Sequence, residues 1–343
     1  MVRQEFKTRV LTRLRDLQTI AAEWRELFDH CPDATPFQHP AWILSWIEVF
    51  APNDLFVIEV RRENSLVGVA PLLVYQREGE RVLVFAAGGV SDYLDVLADP
   101  AWECEVLFAI LEALQSLSNW TTLDFTDLHQ SSLLNRTALA QFAAPHDDCS
   151  TLALPRTRSE LLHILSKRQR ANLRNARSRL QRIGGGTIEF ATANSLPEFL
   201  DDLFRLHTTR WFRVGGPGVL ADEMIRAFHR VSAPKLLAEG ILHLARLRVN
   251  GRSVATLYSL WNHSTVFCYL QGFDPEFAYV SPGTQLMFSA IEHAVDSGIR
   301  KFDFLRGEET YKRHWRADHQ FTYRIQLPRL TLRLVISVDT TAG

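Results

Sequence analysis

Apolar positions recur at two periods along this chain, and the switch between the two lays out its elements. Phe6 to Leu14 alternates as a strand does, whereas Leu17, Ile20, Ala21, Trp24, Leu27 and Phe28 follow helical spacing. Thr35 to Phe50 reads as a proline-initiated helix with Trp42, Ile43 and Trp46 on one face. Leu55 to Arg62 and Ser65 to Tyr75 form a hairpin pattern joined by Glu63 and Asn64, a weaker turn pair than Asn-Gly. Arg81 to Phe85, Asp92 to Leu97, Thr122 to Phe125 and Cys149 to Leu154 read as strands. An amphipathic helix is expected over Glu103 to Leu117.

The second half follows the same plan. Ser159 to Ile183 reads as one helix, stopped by Gly184, Gly185 and Gly186, with a strand at Thr187 to Ala191 after it. Helices are expected over Leu196 to Phe212 and Asp222 to Val231. Asn250-Gly251 is a preferred hairpin turn between Ile241 to Val249 and Ser253 to Trp261. Val266 to Gln271 is β-branched and aromatic enough for a further strand. Ser281, Pro282 and Gly283 then place an N-cap hydroxyl, an N1 proline and a permissive glycine at the start of a helix reaching Ser297. Lys301 to Phe304 reads as a strand, and late strands fall near Phe321 to Leu327 and Leu330 to Val338. Both halves therefore run helices, an antiparallel meander, a helix and a strand. The element order predicts an α/β (α+β) protein with a tandem repeat, in domains 1–155 and 156–343. Each would be a mixed, mainly antiparallel sheet flanked by helices.

Composition narrows the function classes. A hydrophobic fraction of 46% and a charged fraction of 22% are those of a folded globular chain, and 343 residues suffice for two domains. The net charge of -1 supplies no overall pull toward DNA or anionic membrane, so any such attraction must be local. Cys31, Cys104, Cys149 and Cys268 lack CxxC spacing and read as reduced thiols. No signal-peptide h-region and no transmembrane segment is evident, so a cytoplasmic location is expected.

The local attraction has a candidate. Ser166 to Arg182 carries seven positive residues and no acid. Lys167, Arg170, Arg174 and Arg177 fall on one helical stripe, while Leu165, Leu173, Ala176 and Leu180 fall on another that would face the core. Like charges at this spacing repel mildly, so the stripe either binds something phosphate-rich or is a solvated face. The phosphate-rich ligands that fit are a nucleotide sugar, a lipid phosphate, a tRNA or coenzyme A. Without interleaved aromatics it is no specific nucleic-acid signal.

Candidate chemistry concentrates at Asp303 to Trp315, at the end of an expected strand, where α/β proteins often place their sites. Asp303, Glu308 and Glu309 could act as bases, Tyr311 and His314 could carry protons, and Lys312 could stabilise an oxyanion or a phosphate. Each also has a structural reading: Asp303 bonding backbone amides, Lys312 as a surface charge, Trp315 capping the core. Asp92, Tyr93 and Asp95 form a second cluster, and Arg210 with Trp211 a third, at a helix end leading into a Gly-Pro loop. The strand ending at Gln271 feeds the helix start at Ser281, an arrangement that leaves N–H groups free for phosphate. No HExxH, GxSxG, Walker or zinc pattern occurs, and the histidines are scattered, so no metal is expected.

The segments TPFQHPAWILSW, VGVAPLLV, SDYLDVL, SKRQRANLRNARSRL, LHTTRW, YLQGFDPEFAYVSPG and FDFLRGEETYKRHW together resemble a group of GNAT-fold acyltransferases. These double-domain proteins are often associated with cellulose or exopolysaccharide biosynthesis and are related to the Fem-type aminoacyl transferases. The resemblance covers about Thr35 to Leu327. It implies two tandem GNAT-like domains and an acyl donor, acetyl-CoA or another acyl-CoA, bound mainly by the second. Ser281, Pro282 and Gly283 would take the pyrophosphate-loop place, with Gln271 and Thr284 beside them. The arginine- or glutamine-headed glycine loop usual in GNAT proteins is missing here, and Fem-type relatives use aminoacyl-tRNA, which leaves tRNA open as the donor carrier. Lys312 matches the place where Fem-type relatives use a lysine near the reacting carbonyl. The implied activity is acyl transfer to an amine or hydroxyl of a sugar-containing acceptor, a nucleotide sugar or lipid phosphate among them. Asp303 or Glu308 would assist deprotonation, with Lys312 and Tyr311 at the developing charge. Asp92, Tyr93, Lys167, Arg170, Arg174, Arg210, Trp211, Tyr269 and Trp315 would contact the acceptor. A non-catalytic accessory of a polysaccharide synthase is the remaining alternative.

Overall fold

The computed structural model describes residues 6–307 and 309–332. These form two compact units, one made by the chain up to Asp147 together with the chain from Phe321 onward, the other by Asp148–Gln320. The first unit runs β1 (Phe6–Leu11), α1 (Leu14–Thr19), α2 (Ala21–His30), α3 (Pro40–Phe50), β2 (Leu55–Arg62), β3 (Ser65–Arg77), β4 (Glu80–Phe85), β5 (Leu97–Ala98), α4 (Glu103–Ser116) and β6 (Thr122–Leu128), and then enters β7 (Ala143–Ala153). The second continues with α5 (Arg158–Ile164), α6 (Lys167–Arg182), β8 (Thr187–Phe190), α7 (Leu196–Val214), α8 (Glu223–Ala238), β9 (Leu242–Val249), β10 (Arg252–Trp261) and β11 (Thr265–Phe273). It ends with α9 (Pro282–Asp296), β12 (Lys301–Arg306), α10 (Thr310–His314) and the start of β13 (Asp318–Pro328).

Each unit builds the same sheet. In the first, β1 to β4 pair antiparallel in chain order, β4 pairs parallel with β6 across the α4 crossover, and β13 adds antiparallel to β6. In the second, β8 to β11 pair antiparallel, β11 pairs parallel with β12 across α9, and β7 adds antiparallel to β12. The strand that follows β6 in the chain thus completes the second sheet, and the strand that follows β12 completes the first. The chain is a mixed α/β protein of GNAT-like architecture, its sheets flanked by helices as expected. Whereas the expected break lay at 155/156, the compact units change over inside β7 and again inside β13.

Each unit has its own core. Ile58, Leu72, Phe85, Ile110, Phe125 and Ile325 centre the first; Leu173, Leu257, Val266, Ile291, Phe302 and Trp315 centre the second. Burial of such side chains contributes roughly 1.5–3 kcal/mol each, and this holds the helices on the sheets. The expected apolar stripe of α6, Leu165, Leu173, Ala176 and Leu180, is buried throughout. Asn250 and Gly251 both take positive φ, 50° and 78°, as their turn requires. All four cysteines are free, three of them buried.

Four expectations are corrected. The helix expected over Leu17 to Phe28 breaks at Ile20 into α1 and α2. The long helix expected from Ser159 breaks at Leu165 and Ser166, because the Ser166 hydroxyl accepts from the Gln169 N–H and starts α6 afresh. Asp92 to Val96 forms no strand. There the Asp95 carboxylate accepts from Val96 N–H at 2.8 Å and Leu133 N–H at 3.3 Å, Leu94 N–H donates to the Asp127 carbonyl, and the Gln38 amide donates to the Val96 carbonyl. Side chains and neighbouring loops thus take the groups a ladder would use, so the expected sharing of faces by Asp92, Leu94 and Val96 does not arise. The strand expected over Leu330 to Val338 lies largely outside the described residues, and its described part is helical.

Candidate active site

The two parallel strands of the second unit stay in register over only three pairs, Thr265/Lys301, Val266/Phe302 and Phe267/Asp303. Past that point no ladder joins them among the described residues, so an opening in the hydrogen bonding between the two strands runs along Cys268 to Phe273. A bulge deepens the irregularity. Tyr258 pairs with Leu270 and Ser259 with Cys268, so Tyr269 is the extra residue. On the other side, β12 slips against β7 between Asp303 and Arg306, and Leu305 sits at φ 59°.

A leucine in the left-handed region costs about 1–3 kcal/mol and persists only where its surroundings over-determine it. Three groups do so here. The buried Asp303 carboxylate accepts from Leu305 N–H at 2.8 Å. The Gly307 N–H donates to the Asp148 carbonyl at 2.9 Å. The Lys312 ammonium, 2% exposed, donates to the carbonyls of Leu305, Arg306 and Gly307 at 2.9, 2.6 and 3.0 Å, with Glu309 Oε2 at 2.9 Å. In this arrangement Lys312 faces the strand end. Glu308 lies outside the described residues.

Around the opening the fold gathers Arg210, Gln271, Tyr311 and Glu309. The Tyr311 hydroxyl meets the Gln271 side chain, and burial pushes the phenol well above its usual range, with Cys268 and Glu309 adding to the rise and Arg210 opposing it. Burial likewise pushes the Cys268 thiol up to about 12, so it stays protonated. Arg210 lies 5.4 Å over the Phe273 ring and forms no ion pair among the described residues.

Arg210 arrives on α7, which packs directly on β11. A Cβ at Gly272 would stand 2.4 Å from the backbone nitrogen of His207, so only glycine lets the helix lie there. The same approach buries His207, whose Nδ1 has no hydrogen-bond partner among the described residues. Burial, and then the charge of Arg210, pushes its imidazole down to about 4. His229 beside it is pushed to about 3, again chiefly by burial, and its ring lies 5.4 Å from Tyr258 and 5.7 Å from the bulge residue Tyr269. The sequence reading passed over His207. Its one signal was a histidine set among the apolar positions Leu203, Phe204 and Leu206.

The expected donor-binding residues stand at the start of α9. Ser281 occupies the cap position but makes no capping bond, because its backbone is left-handed (φ 51°) rather than extended. The expected N-cap hydroxyl is thus corrected, while Pro282 starts the helix as foreseen. Packing does not demand glycine at 283, where a Cβ would make only an ordinary 3.6 Å contact with Phe273. Thr284 is half-buried in the first turn.

The other expected contacts separate into groups. Arg170, Arg174 and Arg177 share a pocket of about 410 Å³ whose floor includes Leu173, Leu180 and Ile188. Arg170 is partly committed, donating to the Leu162 and Leu165 carbonyls at 3.0 and 2.7 Å. Glu292 also lines this pocket, and burial raises its carboxyl above the usual range against the pull of Arg158 and Arg177. Lys167 is exposed and outside this lining. Trp211 lies 6.0 Å from His207, and Trp315 is core, stacked 6.3 Å from Phe288. Asp92 and Tyr93 belong to the first unit, where Tyr93 is 2% exposed and packs edge-on against His129. Near them, burial raises the Asp95 carboxyl to about 6. Also in that unit, folding brings Asp127, His146 and Asp147 within 4.8 Å of one another, a grouping common without an ion.

Residues 167–313 match the profile of the family described as acetyltransferase (GNAT) domain. No curated protein sequence matches the chain significantly. Among solved structures, FemX aligns with a TM-score of 0.66 at 12% identity, over 96% of this chain and 100% of that one. The C-terminal domain (DUF2156) of a provisionally named lysylphosphatidylglycerol synthetase from Agrobacterium fabrum aligns at 0.56 and 12%, over 90% and 91%. A tandem GNAT protein from the clavulanic acid biosynthesis pathway aligns at 0.50 and 12%, over 95% and 99%. At these identities the structural likeness concerns the fold: the chain is GNAT-like in fold with tandem GNAT neighbours, and residues 167–313 are similar to the acetyltransferase (GNAT) family. No helix among the described residues is long and apolar enough to cross a membrane.

Proposed function

We propose that this chain is an acyltransferase that moves an acyl group, acetyl in the first instance, from acyl-CoA to an amine or hydroxyl of a sugar-containing acceptor. The carrying observation is the parting of β11 and β12 inside the segment that matches the GNAT acetyltransferase family. Backbone groups along Cys268 to Phe273 border that opening, and the positive end of α9 follows β11 in the chain.

The chemistry is direct transfer. A lone pair of the acceptor nitrogen or oxygen attacks the thioester carbonyl carbon, the new C–N or C–O bond forms, and the C–S bond breaks. Backbone N–H groups at the opening stabilise the carbonyl oxygen as charge develops there. The leaving thiolate takes a proton from Tyr311, whose buried phenol is held neutral and is met by Gln271. The acceptor's proton passes to a carboxylate, Glu308 in this reading, while Asp303 holds the Leu305 turn. Lys312 fixes the same turn and lends it positive charge. Arg210 binds an anionic group of one substrate. Ser281, Pro282, Gly283 and Thr284 line the donor, while Lys167, Arg170, Arg174, Trp211 and Tyr269 shape the acceptor's surroundings. Aligning two substrates at one opening contributes roughly 7–11 kcal/mol at best to lowering the barrier. A role in exopolysaccharide or cell-envelope biosynthesis fits such an acceptor.

A second reading, aminoacyl transfer from tRNA, is favoured by the seven cations of Ser166 to Arg182. Thermal shift with acetyl-CoA, longer acyl-CoAs and free CoA separates the two. A ligand at a hundred times its Kd adds about 2.7 kcal/mol of stability. A shift with one acyl-CoA, followed by thiol release on adding amino sugars, supports the proposal. No shift with any CoA, together with tRNA co-eluting with the protein, transfers the assignment to aminoacyl-tRNA. Binding without turnover on any acceptor leaves only an accessory role.

A further inference from the structure

Helix α6 begins against the usual electrostatic rule. Its first turn reads Lys167-Arg168-Gln169-Arg170 with no acid, although the N-terminal end of a helix favours negative charge. Ser166 caps one amide, that of Gln169, and leaves the N–H groups of Lys167 and Arg168 without an intrahelical partner. Here α10 adds to the imbalance. Arg313, His314 and Arg316 join Ser166, Arg168, Gln169 and Asn172 around one pocket of about 250 Å³. Among the described residues no carboxylate lines it, and Arg168, Arg313 and Arg316 form no ion pair. One further group marks the place as a site rather than a solvated surface. Gln169 is only 5% exposed, its side-chain amide makes no hydrogen bond among the described residues, and it lines the pocket. With no protein partner, that amide is open to a ligand entering the pocket.

The donor set fits a tetrahedral dianion. Three planar guanidinium forks each match two oxygens of a phosphate, and the amides of Gln169 and the α6 first turn supply neutral donors. The pocket also shares its helix with the candidate active site. Tyr311 faces the opening between β11 and β12, while Arg313, His314 and Arg316 around the end of α10 line the pocket. We propose that this pocket binds a phosphomonoester, and, resting on the acyl-CoA reading above, that the group it takes is the 3′-phosphate of the donor's nucleotide end.

Isothermal titration of the full chain with CoA and with dephospho-CoA, at fixed ionic strength, tests this. The expected result is CoA binding at least tenfold more tightly. The Arg313→Ala/Arg316→Ala double variant should bring CoA down to the dephospho-CoA affinity while leaving the latter within twofold. Gln169→Leu, which keeps the side-chain volume, should lose part of the same preference without lowering the unfolding midpoint. Equal affinities for the two ligands in the unaltered protein overturn the pocket assignment and leave the acyl-CoA reading standing. If neither ligand binds, the acyl-CoA reading falls, and inorganic phosphate then decides the pocket. A midpoint raised by phosphate over chloride, in the unaltered protein and not in the double variant, retains a phosphate site. The absence of that difference removes it.

Discussion

Replacing Lys312 by methionine separates two roles that a buried lysine at a strand end can play. The methionine stem is nearly as long and stays apolar, so packing around the chain is kept while the ammonium is lost. What goes with it are three hydrogen bonds to the carbonyls of Leu305, Arg306 and Gly307 at 2.9, 2.6 and 3.0 Å, and the 2.9 Å ion pair with the partly exposed Glu309. Hydrogen bonds from a charged donor are worth about 1.5–3 kcal/mol each, but they do not simply add here. Arg306 and Gly307 are half-buried and can turn to water, and the desolvation of the ammonium is relieved at the same time. Leu305, 2% exposed, cannot recover a partner so easily. A net loss of about 3 kcal/mol follows, with Leu305 free to leave its left-handed conformation. Urea unfolding at constant m-value reads the stability, and kcat/KM at a temperature where the variant is folded reads the activity. A loss below about 0.5 kcal/mol combined with a tenfold or greater fall in kcat would refute the reasoning, because the ammonium would then act on substrate rather than on the backbone.

Other expectations follow from the same geometry. Gly272→Ala puts a Cβ 2.4 Å from the His207 nitrogen and 2.6 Å from the Leu206 carbonyl carbon, so α7 must move. It should cost about 3 kcal/mol or prevent folding, and a chemical-denaturation midpoint unchanged from the parent would sink the argument. Gly283→Ala meets only a 3.6 Å contact and should leave the midpoint unchanged or slightly raised, so any loss of acyl-CoA affinity reports a ligand against that turn. Tyr311→Phe should lower kcat by about 10²-fold or more with little change in KM, if its hydroxyl is the proton donor. The buried histidines make stability pH-dependent. The folded pKa of His207, about 4, lies below its ordinary value of 6.5, so on acidification the unfolded chain takes up the proton first. Its contribution is complete above pH 6.5 and falls by about 1.4 kcal/mol per pH unit down to about pH 4, and His229, at about 3, adds the same slope. Urea midpoints at pH 7 and 5.5 for the parent and His207→Gln check this, and equal pH dependence in both proteins would remove His207 from the account.

How the chain announced its site depended on how local each signal was. The basic face of α6 and its buried stripe were plain, since both are helical spacings within one element. The break at Ser166 was hidden because the apolar period continues across it, and the hydroxyl cap is a single side-chain bond. Asp92 to Val96 carried a convincing strand pattern and failed as one because Asp95, Gln38 and Asp127 supply competing partners from other parts of the unit. The segment 303–315 was rightly prominent, yet its composition could not show that Lys312 points at carbonyls while Tyr311 turns toward Gln271.

By itself the sequence determined most of the elements and their order, the Asn250-Gly251 turn, the proline start of α9 and the repetition of one plan in both halves. Periodicity and turn chemistry are settled by a dozen neighbouring residues, so they survive in any fold the chain adopts. The tertiary structure alone decided that β7 completes the second sheet and β13 the first, where Arg324 meets Asp124 across 200 positions. It alone decided that β11 and β12 part after Phe267 and Asp303, and that Arg210, Gln271 and Tyr311 gather at the opening. Strand partners and strand ends are chosen by competition among all the edges and side chains available, and that competition has no local period to read.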